Sequence, residues 1–449
     1  MNVLTNFPYQ HVLVLGLAKS GTAAATVLLE NHIQVTINDG MATLENSSVQ
    51  KLQTMGAELV LGSHPLSVLD EKDIIVKNPG IRYDNVIVEE AERRGIPVIS
   101  EVELVHYLTN QPVIGITGSN GKTTTTTLIT EMLRQSNVSV KVAGNIGVVA
   151  TEVASSLQPE EKMVMELSSF QLQGTNQLQF STAVLLNLFE AHLDYHGSFD
   201  NYVQAKCNIF KNQNERDYLI YNADDDNVSA VVKTARATKV PFSSSRPFTD
   251  GAWMDDEFLY FKDEKIIAIR EIVLVGKHNM ENILAAIATA KLNGASNEGI
   301  YQVLTTFSGV KHRLEFVGVI NGRYIYNDSK ATNILATKKA LAAFNKNVVL
   351  LAGGLDRGNT FEELIPYLHH VKAMVVFGET ANKLKDAGVA ANVPVIEKAF
   401  DVQQAVEVAF PLTDEQDTLL LSPACASWDQ YKTFEERGDM FIQAVHRLK

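Results

Sequence analysis

Cysteine is nearly absent from this 449-residue chain: only Cys207 and Cys425 occur, far apart and in no CxxC spacing. That excludes a disulfide framework or a zinc knuckle and fits a reducing cytosol. Long apolar runs are missing too. None approaches the roughly 18–20 residues needed to cross a bilayer, so no membrane insertion is expected. The opening stretch MNVLTNFPYQHVLVLGLAKSG has no basic n-region, and its apolar run ends in a glycine turn. It reads as a first strand rather than a signal peptide. Basic charge is outnumbered: 39 Lys and Arg against 52 Asp and Glu give a formal net charge of −13. Nonspecific attraction to nucleic acid or anionic lipid is therefore not expected. Anionic ligands would have to be held by local basic groups, metal ions and backbone N–H groups. Internal repeats are absent, as is low-complexity sequence apart from the threonines 123–127.

What is present is apolar sequence enough for large cores, 45 % of residues against 20 % charged, in a length suited to roughly two to four domains. Short β-branched runs alternate with longer amphipathic stretches, the pattern of parallel sheets crossed by helices. The pattern restarts twice. Residues 1–109 hold runs at 12–21, 35–40, 74–81 and 97–104, and end in the polar, proline-containing linker LTNQP. Residues 110–309 hold runs at 113–117, 138–145, 163–172, 183–188 and 218–225, an alternating hairpin at 258–269 and a helix at 276–294. Residues 310–449 hold strands at 324–328, 347–354, 373–379 and 418–424. The expected class is α/β, with three consecutive domains. The first is a Rossmann-like parallel sheet, the second a P-loop-type, mostly parallel sheet, and the third Rossmann-like again.

The segment GITGSNGKTTTTT (115–127) is the strongest chemical signal. The usual phosphate loop has a glycine, about four residues, then Gly-Lys-Ser/Thr. Counting back, Ile116 stands where that first glycine belongs. Gly118 and Gly121 still let the backbone curl so that successive N–H groups converge on an anion at a helix start. Lys122 supplies a point charge, and the Thr123 hydroxyl can ligate Mg²⁺. Asn120 and the threonine run suit a helix N-terminus and not its interior. A glycine-rich turn without ligand is the bland alternative. GLAKSG (16–21), with Asp39 at the end of the next strand, suggests a dinucleotide turn, but Ala18 occupies the second glycine position. A plain βα turn explains it equally well.

Glu166, at the tip of an apolar strand, is either a Mg²⁺-binding or water-positioning acid, or an exposed strand end. His192 and His196 are spaced i, i+4, but Leu193 replaces the glutamate of a HExxH zinc site. Such histidines are more often structural or solvated than ligands, and His192 is the candidate ligand of the two. Lys206 by itself reads as a surface lysine. NDSKATN (327–333), AGGLDRGNTF (352–361) with Arg357, and SPACASWDQYKTFEERG (422–438) are strand-end loops. Cys425 reads as packing rather than as a nucleophile, since no base is recognisable beside it.

In series, TGSNGKTT, GNIG (144–147), ELSSFQL (166–172), HLDYHG (192–197), GKHNMENILAA (276–286), HRLE (312–315) and NDSKATN resemble the Mur ligase family. These are the ATP-dependent amino-acid ligases of peptidoglycan synthesis, and the resemblance spans essentially the whole chain. TGSNGKTT is similar to that family's own shorter phosphate loop. SPACASWDQYKTFEERG, the spacing of AGGLDRGNTF and the opening GLAKSG point to members that add D-glutamate.

The resemblance implies that D-glutamate is joined to UDP-N-acetylmuramoyl-L-alanine through an acyl phosphate. Residues 1–109 would bind the UDP substrate, 110–309 would be the ATPase domain, and 310–449 would bind amino acid and nucleotide. It implies ATP and two Mg²⁺ ions as cofactors, and a CO2-derived carbamate on Lys206. Lys122, His192 and Lys206 would be catalytic. Gly118, Ser119, Asn120, Gly121, Lys122, Thr123, Thr124, Asn282, Arg313, Asp328 and Lys330 would meet ATP. Lys19, Ser20, Asp39, Asn78, Gly80 and Asn145 would meet the UDP substrate, although Lys19 stands where an apolar residue occurs elsewhere in the family. Thr332, Arg357, Ser427, the Trp428 backbone and Phe434 would bind D-glutamate, with Arg357 in place of a family lysine. Thr123, Glu166, His192 and carbamylated Lys206 would hold the metal ions. The chain is expected to act in the cytoplasm as a monomer, without nucleic acid, with its C-terminal unit closing when nucleotide binds. Alternatives are another Mur ligase, a folylpolyglutamate synthase, an NAD(P)-dependent oxidoreductase built on GLAKSG, or a regulatory nucleotide-binding protein without turnover.

Overall fold

The apolar runs become strands whose side chains are covered on both faces, as parallel sheets require. The computed structural model describes residues 2–274, 276–307, 309–344 and 347–448. It forms two compact bodies, Met1–Glu271 with Met280–Thr305, and Ile272–Asn279 with Thr306–Lys449.

The first body contains two sheets. One is five-stranded and wholly parallel, in the order β3-β2-β1-β4-β5. Its strands are β1 (His11–Leu15), β2 (Gln34–Asp39), β3 (Glu58–Leu61), β4 (Ile74–Lys77) and β5 (Val98–Ser100). The strand order reverses at β1, so the exits of β1 and β4 flank a crevice of the kind that takes ligands in open α/β sheets. The run at 97–104 stops being a strand after Ser100. Glu101 and Glu103 are buried there and turn their carboxylates to backbone N–H groups, of Thr151 and of Asn176, Gln177 and Leu178. Those bonds hold the segment as a 3₁₀ turn, Glu101–Leu104.

The second sheet is nine-stranded, in the order β14-β13-β12-β11-β10-β9-β6-β8-β7. Its strands are β6 (Val113–Thr117), β7 (Val140–Gly144), β8 (Lys162–Glu166), β9 (Thr182–Leu185), β10 (Tyr218–Asn222), β11 (Thr238–Ser243), β12 (Ala252–Met254), β13 (Phe258–Phe261) and β14 (Glu264–Ala268). It is parallel from β7 through β12, and β12, β13 and β14 pair antiparallel. The hairpin at 258–269 and the helix Lys277–Leu292 fall where the sequence predicts them. β6 lies between β8 and β9, so the phosphate-loop segment leaves the middle of the sheet at its switch point.

The second body holds a six-stranded sheet, β15-β16-β20-β17-β18-β19. Its strands are β15 (Glu315–Ile320), β16 (Arg323–Asn327), β17 (Val348–Gly353), β18 (Val371–Phe377), β19 (Val395–Lys398) and β20 (Thr418–Leu421). β15 is antiparallel to β16 and the rest pair parallel, so this sheet is mixed at one edge. The loops after β16, β17 and β20, the three polar strand-end segments of the sequence, leave neighbouring strands at one edge. Sequence reading passes over β3, β12, β15 and β19, which are short or lie at a sheet edge, and β11, an interior strand that opens on exposed Thr238 and Lys239 and is interrupted by Pro241.

Candidate active site

Thr117 ends β6, and the chain turns through residues 118–121 into the helix Lys122–Gln135. Gly121 has φ 85°, and a Cβ there would collide with the Asn282 side chain, so this turn admits only glycine. The loop is seated on the segment that follows β9. Ser119 N donates to Asn187 O at 2.9 Å and Asn120 N to Asn187 Oδ1 at 2.8 Å. The Ser119 hydroxyl accepts from Phe189 N at 3.0 Å and from Tyr202 OH at 2.9 Å. Lys122 Nζ reaches back to the carbonyls of Gly118, 2.8 Å, and Ser119, 3.2 Å. The first helical turn carries no acidic residue, so its positive dipole end is left for an anion. Ile116 is a fully buried residue of β6. The threonine run goes further into the helix than its composition predicts, and Thr124–Thr126 are buried. Thr127 Oγ1 back-bonds to Thr123 O at 2.8 Å and Thr125 Oγ1 meets Asn282 Oδ1 at 3.4 Å, while the buried Thr126 Oγ1 has no hydrogen-bond partner among the described residues.

Glu166 ends β8 beside Ile116 of β6. It is 1 % exposed, which removes the reading as an exposed strand end. Its Oε1 accepts from Asn145 Nδ2 at 3.0 Å, and its Oε2 is buried with no hydrogen-bond partner among the described residues. A half-satisfied buried carboxylate is costly and suits a cation. Lys206 overturns the surface-lysine reading: it is 2 % exposed, on the helix Phe199–Lys211. Its Nζ donates to Gly118 O at 2.9 Å and Thr117 Oγ1 at 3.3 Å, and lies 4.8 Å from the Tyr202 ring centroid. Burial, reinforced by the charge of Lys122, pushes its pKa well below the ordinary lysine value. A signal was available in the sequence. Position 206 lies in the stripe of Tyr202, Ala205, Ile209 and Phe210, all buried.

His192 has a left-handed backbone, φ 55°, and its ring lies 5.0 Å from Phe170 and 6.4 Å from Tyr202. Burial, then Lys122 and Lys206, lower its pKa, which favours the neutral, ligand-competent imidazole. His196 is turned elsewhere. Its Nε2 meets Ser169 Oγ at 2.9 Å, its ring stacks on Phe170, and burial brings its pKa down to about 4. The i, i+4 spacing therefore does not make the two histidines equivalent. Lys122 acts electrostatically on His192 and Lys206, and Glu166 acts on Lys206. Loop lysine, acid, histidine and buried lysine thus share one electrostatic neighbourhood. Among the described residues no three His, Cys, Asp or Glu side chains gather into a metal site. Any ion here would take much of its coordination from phosphate oxygens and water, as Mg²⁺ does.

At the β1 and β4 exits, Asn78 Nδ2 donates to Ser20 Oγ at 3.0 Å, and Asn78 Oδ1 accepts from Gly80 N at 3.0 Å. Lys19 is exposed and opens the helix Lys19–Glu30, whose first turn has no acid. Asp39 accepts the N–H groups of Leu17 at 2.7 Å, Met41 at 2.7 Å and Ala42 at 2.8 Å. Burial raises its pKa, but these bonds and His64 outweigh that and leave it lowered. Asp39 therefore also holds the crevice loops in shape. Asn145 N donates to Glu166 O at 2.9 Å, so Asn145 is bound to the buried acid through both backbone and side chain.

In the second body, Asp328 is buried, accepting from Leu314 N at 3.1 Å and Ser422 Oγ at 2.8 Å. Burial pushes its pKa up to about 7 against these bonds and the charges of Arg313 and Arg437. Arg313 is exposed, and Lys330 Nζ lies 5.6 Å from the Phe434 ring centroid. Thr332 N donates to Lys330 O at 2.9 Å. Arg357 lies 4.9 Å over the ring of Trp428, which is 65 % exposed. Ser427 has a buried Oγ with no hydrogen-bond partner among the described residues. Cys425 is buried against Thr380, and burial raises its thiol to about 11, as suits a packing residue.

Sequence reading missed Arg437. It is fully buried, and donates to Ser329 Oγ at 3.1 Å, Ser329 O at 2.9 Å, Cys425 O at 3.1 Å and Gly353 O at 3.3 Å. It thereby ties the loops after β16, β17 and β20 together. It too lies in an apolar helical stripe, with Phe441, Ala444 and Val445. Lys77, buried at the end of β4, was also missed.

Three family profiles match the chain: the Mur ligase MurD-like N-terminal domain over residues 10–100, the Mur ligase middle domain over 116–290, and the Mur ligase glutamate ligase domain over 312–425. A protein of Oceanobacillus iheyensis named UDP-N-acetylmuramoylalanine--D-glutamate ligase is 92 % identical over 449 residues, covering 100 % of both chains. One of the same name from Bacillus subtilis is 54 % identical over 442 residues, covering 98 % of each. Among solved structures, a MurF ligase from Thermotoga maritima in complex with ADP aligns with TM-score 0.60 at 17 % identity, over 100 % of this chain and 98 % of that one. The UDP-N-acetylmuramate-alanine ligase MurC of Thermotoga maritima aligns with TM-score 0.58 at 18 % identity, over 98 % of this chain and 100 % of that one. At such identities these likenesses concern the fold. The order of motifs, the architecture and the identity to curated relatives agree: the chain belongs to the Mur ligase family, among the UDP-N-acetylmuramoylalanine--D-glutamate ligases.

Proposed function

We propose that this chain is an ATP-dependent ligase that joins D-glutamate to UDP-N-acetylmuramoyl-L-alanine in peptidoglycan precursor synthesis, acting in the cytoplasm as a monomer. The observation that carries the chemistry is the wall of the phosphate loop, where Glu166 has a buried oxygen unpartnered among the described residues and Lys206 is buried against the loop backbone. The choice of amino acid rests on identity to curated relatives, with Arg357 suited to grip a second carboxylate in two places.

The L-alanine carboxylate attacks the γ-phosphorus of ATP, the bond to the ADP oxygen breaks, and an acyl phosphate forms. The amine of D-glutamate then attacks the acyl carbon, the C–O bond to phosphate breaks, and the nitrogen loses a proton. Both partners in the first step are anions, so the barrier is largely repulsion and orientation. Lys122 and the loop N–H groups of residues 118–124 offset phosphate charge, and Asn282, Arg313, Asp328 and Lys330 hold the nucleotide. Magnesium, when bound, neutralises phosphate charge, with Thr123 and Glu166 holding one ion and His192 and carbamylated Lys206 serving the other. Lys206 suits carbamylation because its depressed pKa exposes the neutral amine. That nitrogen adds to CO2, opens one C=O bond and releases a proton, leaving a carboxylate-like group. Lys19, Ser20, Asp39, Asn78, Gly80 and Asn145 bind the UDP end. Thr332, Ser427, the Trp428 backbone and Phe434 join Arg357 around D-glutamate.

Phosphate release measured with UDP-N-acetylmuramoyl-L-alanine, ATP and a panel of amino acids tests the reading. D-glutamate is expected to dominate, and a strong preference for any other amino acid overturns it. Restoration of Lys206→Ala activity by a short carboxylic acid tests the carbamate. No rescue in a folded variant removes it.

A further inference from the structure

Lys77 is 1 % exposed, yet among the described residues no carboxylate pairs with it, and burial alone moves its pKa, down to about 8. A buried lysine without a counter-charge is costly, so its contacts should carry a role. Its Nζ donates to Ile81 O at 2.7 Å, to Tyr195 OH at 3.2 Å and more weakly to Asn78 O at 3.4 Å, with the Tyr83 ring centroid 4.6 Å away. The Tyr195 hydroxyl also lies 3.0 Å from Pro79 O and 2.9 Å from Ile81 O. The whole turn after β4 is therefore fastened to one tyrosine of the second sheet's territory. Arg82 adds a second strap, donating to Asp194 O.

Tyr195 lies three residues after His192, on the short helix Leu193–His196. Its ring packs 4.3 Å from Phe170, which lies 5.0 Å from the His192 ring. His192 has the left-handed backbone that persists only where the surroundings impose it. One polar knot thus joins the Asn78-Pro79-Gly80 turn to the histidine loop.

We propose that Lys77 and Tyr195 act as a pair of positioning residues that set the UDP-substrate turn at a fixed place relative to His192, so that the L-alanine carboxylate arrives in line for phosphoryl transfer. The inference rests on the assignment of Asn78 and Gly80 to the UDP substrate and of His192 to the reacting end. The pair touches neither ATP nor D-glutamate in that scheme, and this sets the signature to look for.

Tyr195→Phe keeps the ring and removes the hydroxyl, and Lys77→Met keeps the bulk and removes the donor. Each is expected to raise KM for UDP-N-acetylmuramoyl-L-alanine roughly tenfold, the scale of one lost hydrogen bond to a charged group. KM for ATP and for D-glutamate should move less than about twofold on the same reasoning. The double variant should be no worse than Lys77→Met, because both act through one knot. The inference is overturned if folded Tyr195→Phe keeps the wild-type KM and kcat, if all three KM values rise together, or if the two effects multiply. Calorimetric titration of UDP-N-acetylmuramoyl-L-alanine separates this from the functional reading. An unchanged Kd together with an unchanged kcat in Tyr195→Phe defeats the pair whatever the acceptor, whereas wild-type turnover with the wrong amino acid defeats only the choice of D-glutamate.

Discussion

At Glu166 one carboxylate oxygen accepts from Asn145, while the other is buried with no hydrogen-bond partner among the described residues. Glu166→Gln preserves the shape and removes the charge. Its kcat should fall about 100- to 1,000-fold, the scale of losing one preorganised electrostatic contact, and a Mg²⁺ titration of phosphate release should shift to higher concentration. Wild-type Mg²⁺ dependence in this variant would refute a metal role. Glu101 is a different kind of buried acid. Burial raises its pKa to about 7 from 4.5, against hydrogen bonds from Thr151. The unfolded chain ionises this carboxyl first as pH rises, so its contribution to stability is present below about pH 4.5 and is lost as pH climbs through about 7. In Glu101→Gln the Tm difference between pH 5 and pH 7.5 should shrink by several degrees, on the scale of about 2–4 °C per kcal/mol. An identical pH dependence in variant and wild type would refute the assignment.

Elements matter here chiefly through where strands end. Thr117, Glu166 and Leu185 end β6, β8 and β9, which are neighbours in the sheet, so the loops carrying phosphate loop, acid and histidine leave one edge together. The turn at Gly121 makes this compact version work without a glycine at position 116. Gly121→Ala must place a side chain at φ 85° and into Asn282, a strain on the order of 1–2 kcal/mol for the backbone alone. It should raise KM for ATP about tenfold or more while leaving calorimetric binding of the UDP substrate unchanged. Normal ATP kinetics in this variant would mean that the turn does not shape the nucleotide site.

The whole molecule divides into two compact bodies, so two-state unfolding is not expected. Scanning calorimetry should resolve two transitions, with Glu101→Gln moving that of the first body and Arg437→Met that of the second. Arg437→Met leaves several buried carbonyls without their donor, at roughly 1–3 kcal/mol for such a loss, and should also raise KM for D-glutamate. One transition, shifted as a unit by either variant, would refute independent bodies.

Most strand exits and the phosphate-loop turn were legible in the sequence because they depend on local rules, whereas the family and the reaction were legible only through the resemblance of the motifs taken in series. β-branched runs make strands, glycines permit left-handed turns, and lysine beside a helix start attracts phosphate. Three buried cations were not legible as such. Lys77, Lys206 and Arg437 carry residue types that normally stand in water, and single residues say nothing of what covers them. Resemblance alone points to Lys206, and sequence reading assigns no role to Lys77 or Arg437. Only the tertiary structure decided that Glu166 keeps a buried oxygen with no partner among the described residues, that His196 turns to Ser169 while His192 does not, and that Arg437 gathers three loops. Burial and partners come from segments far apart in the chain, and it is desolvation, a property of the assembled surroundings, that turns an ordinary lysine or glutamate into a reactive or positioning group.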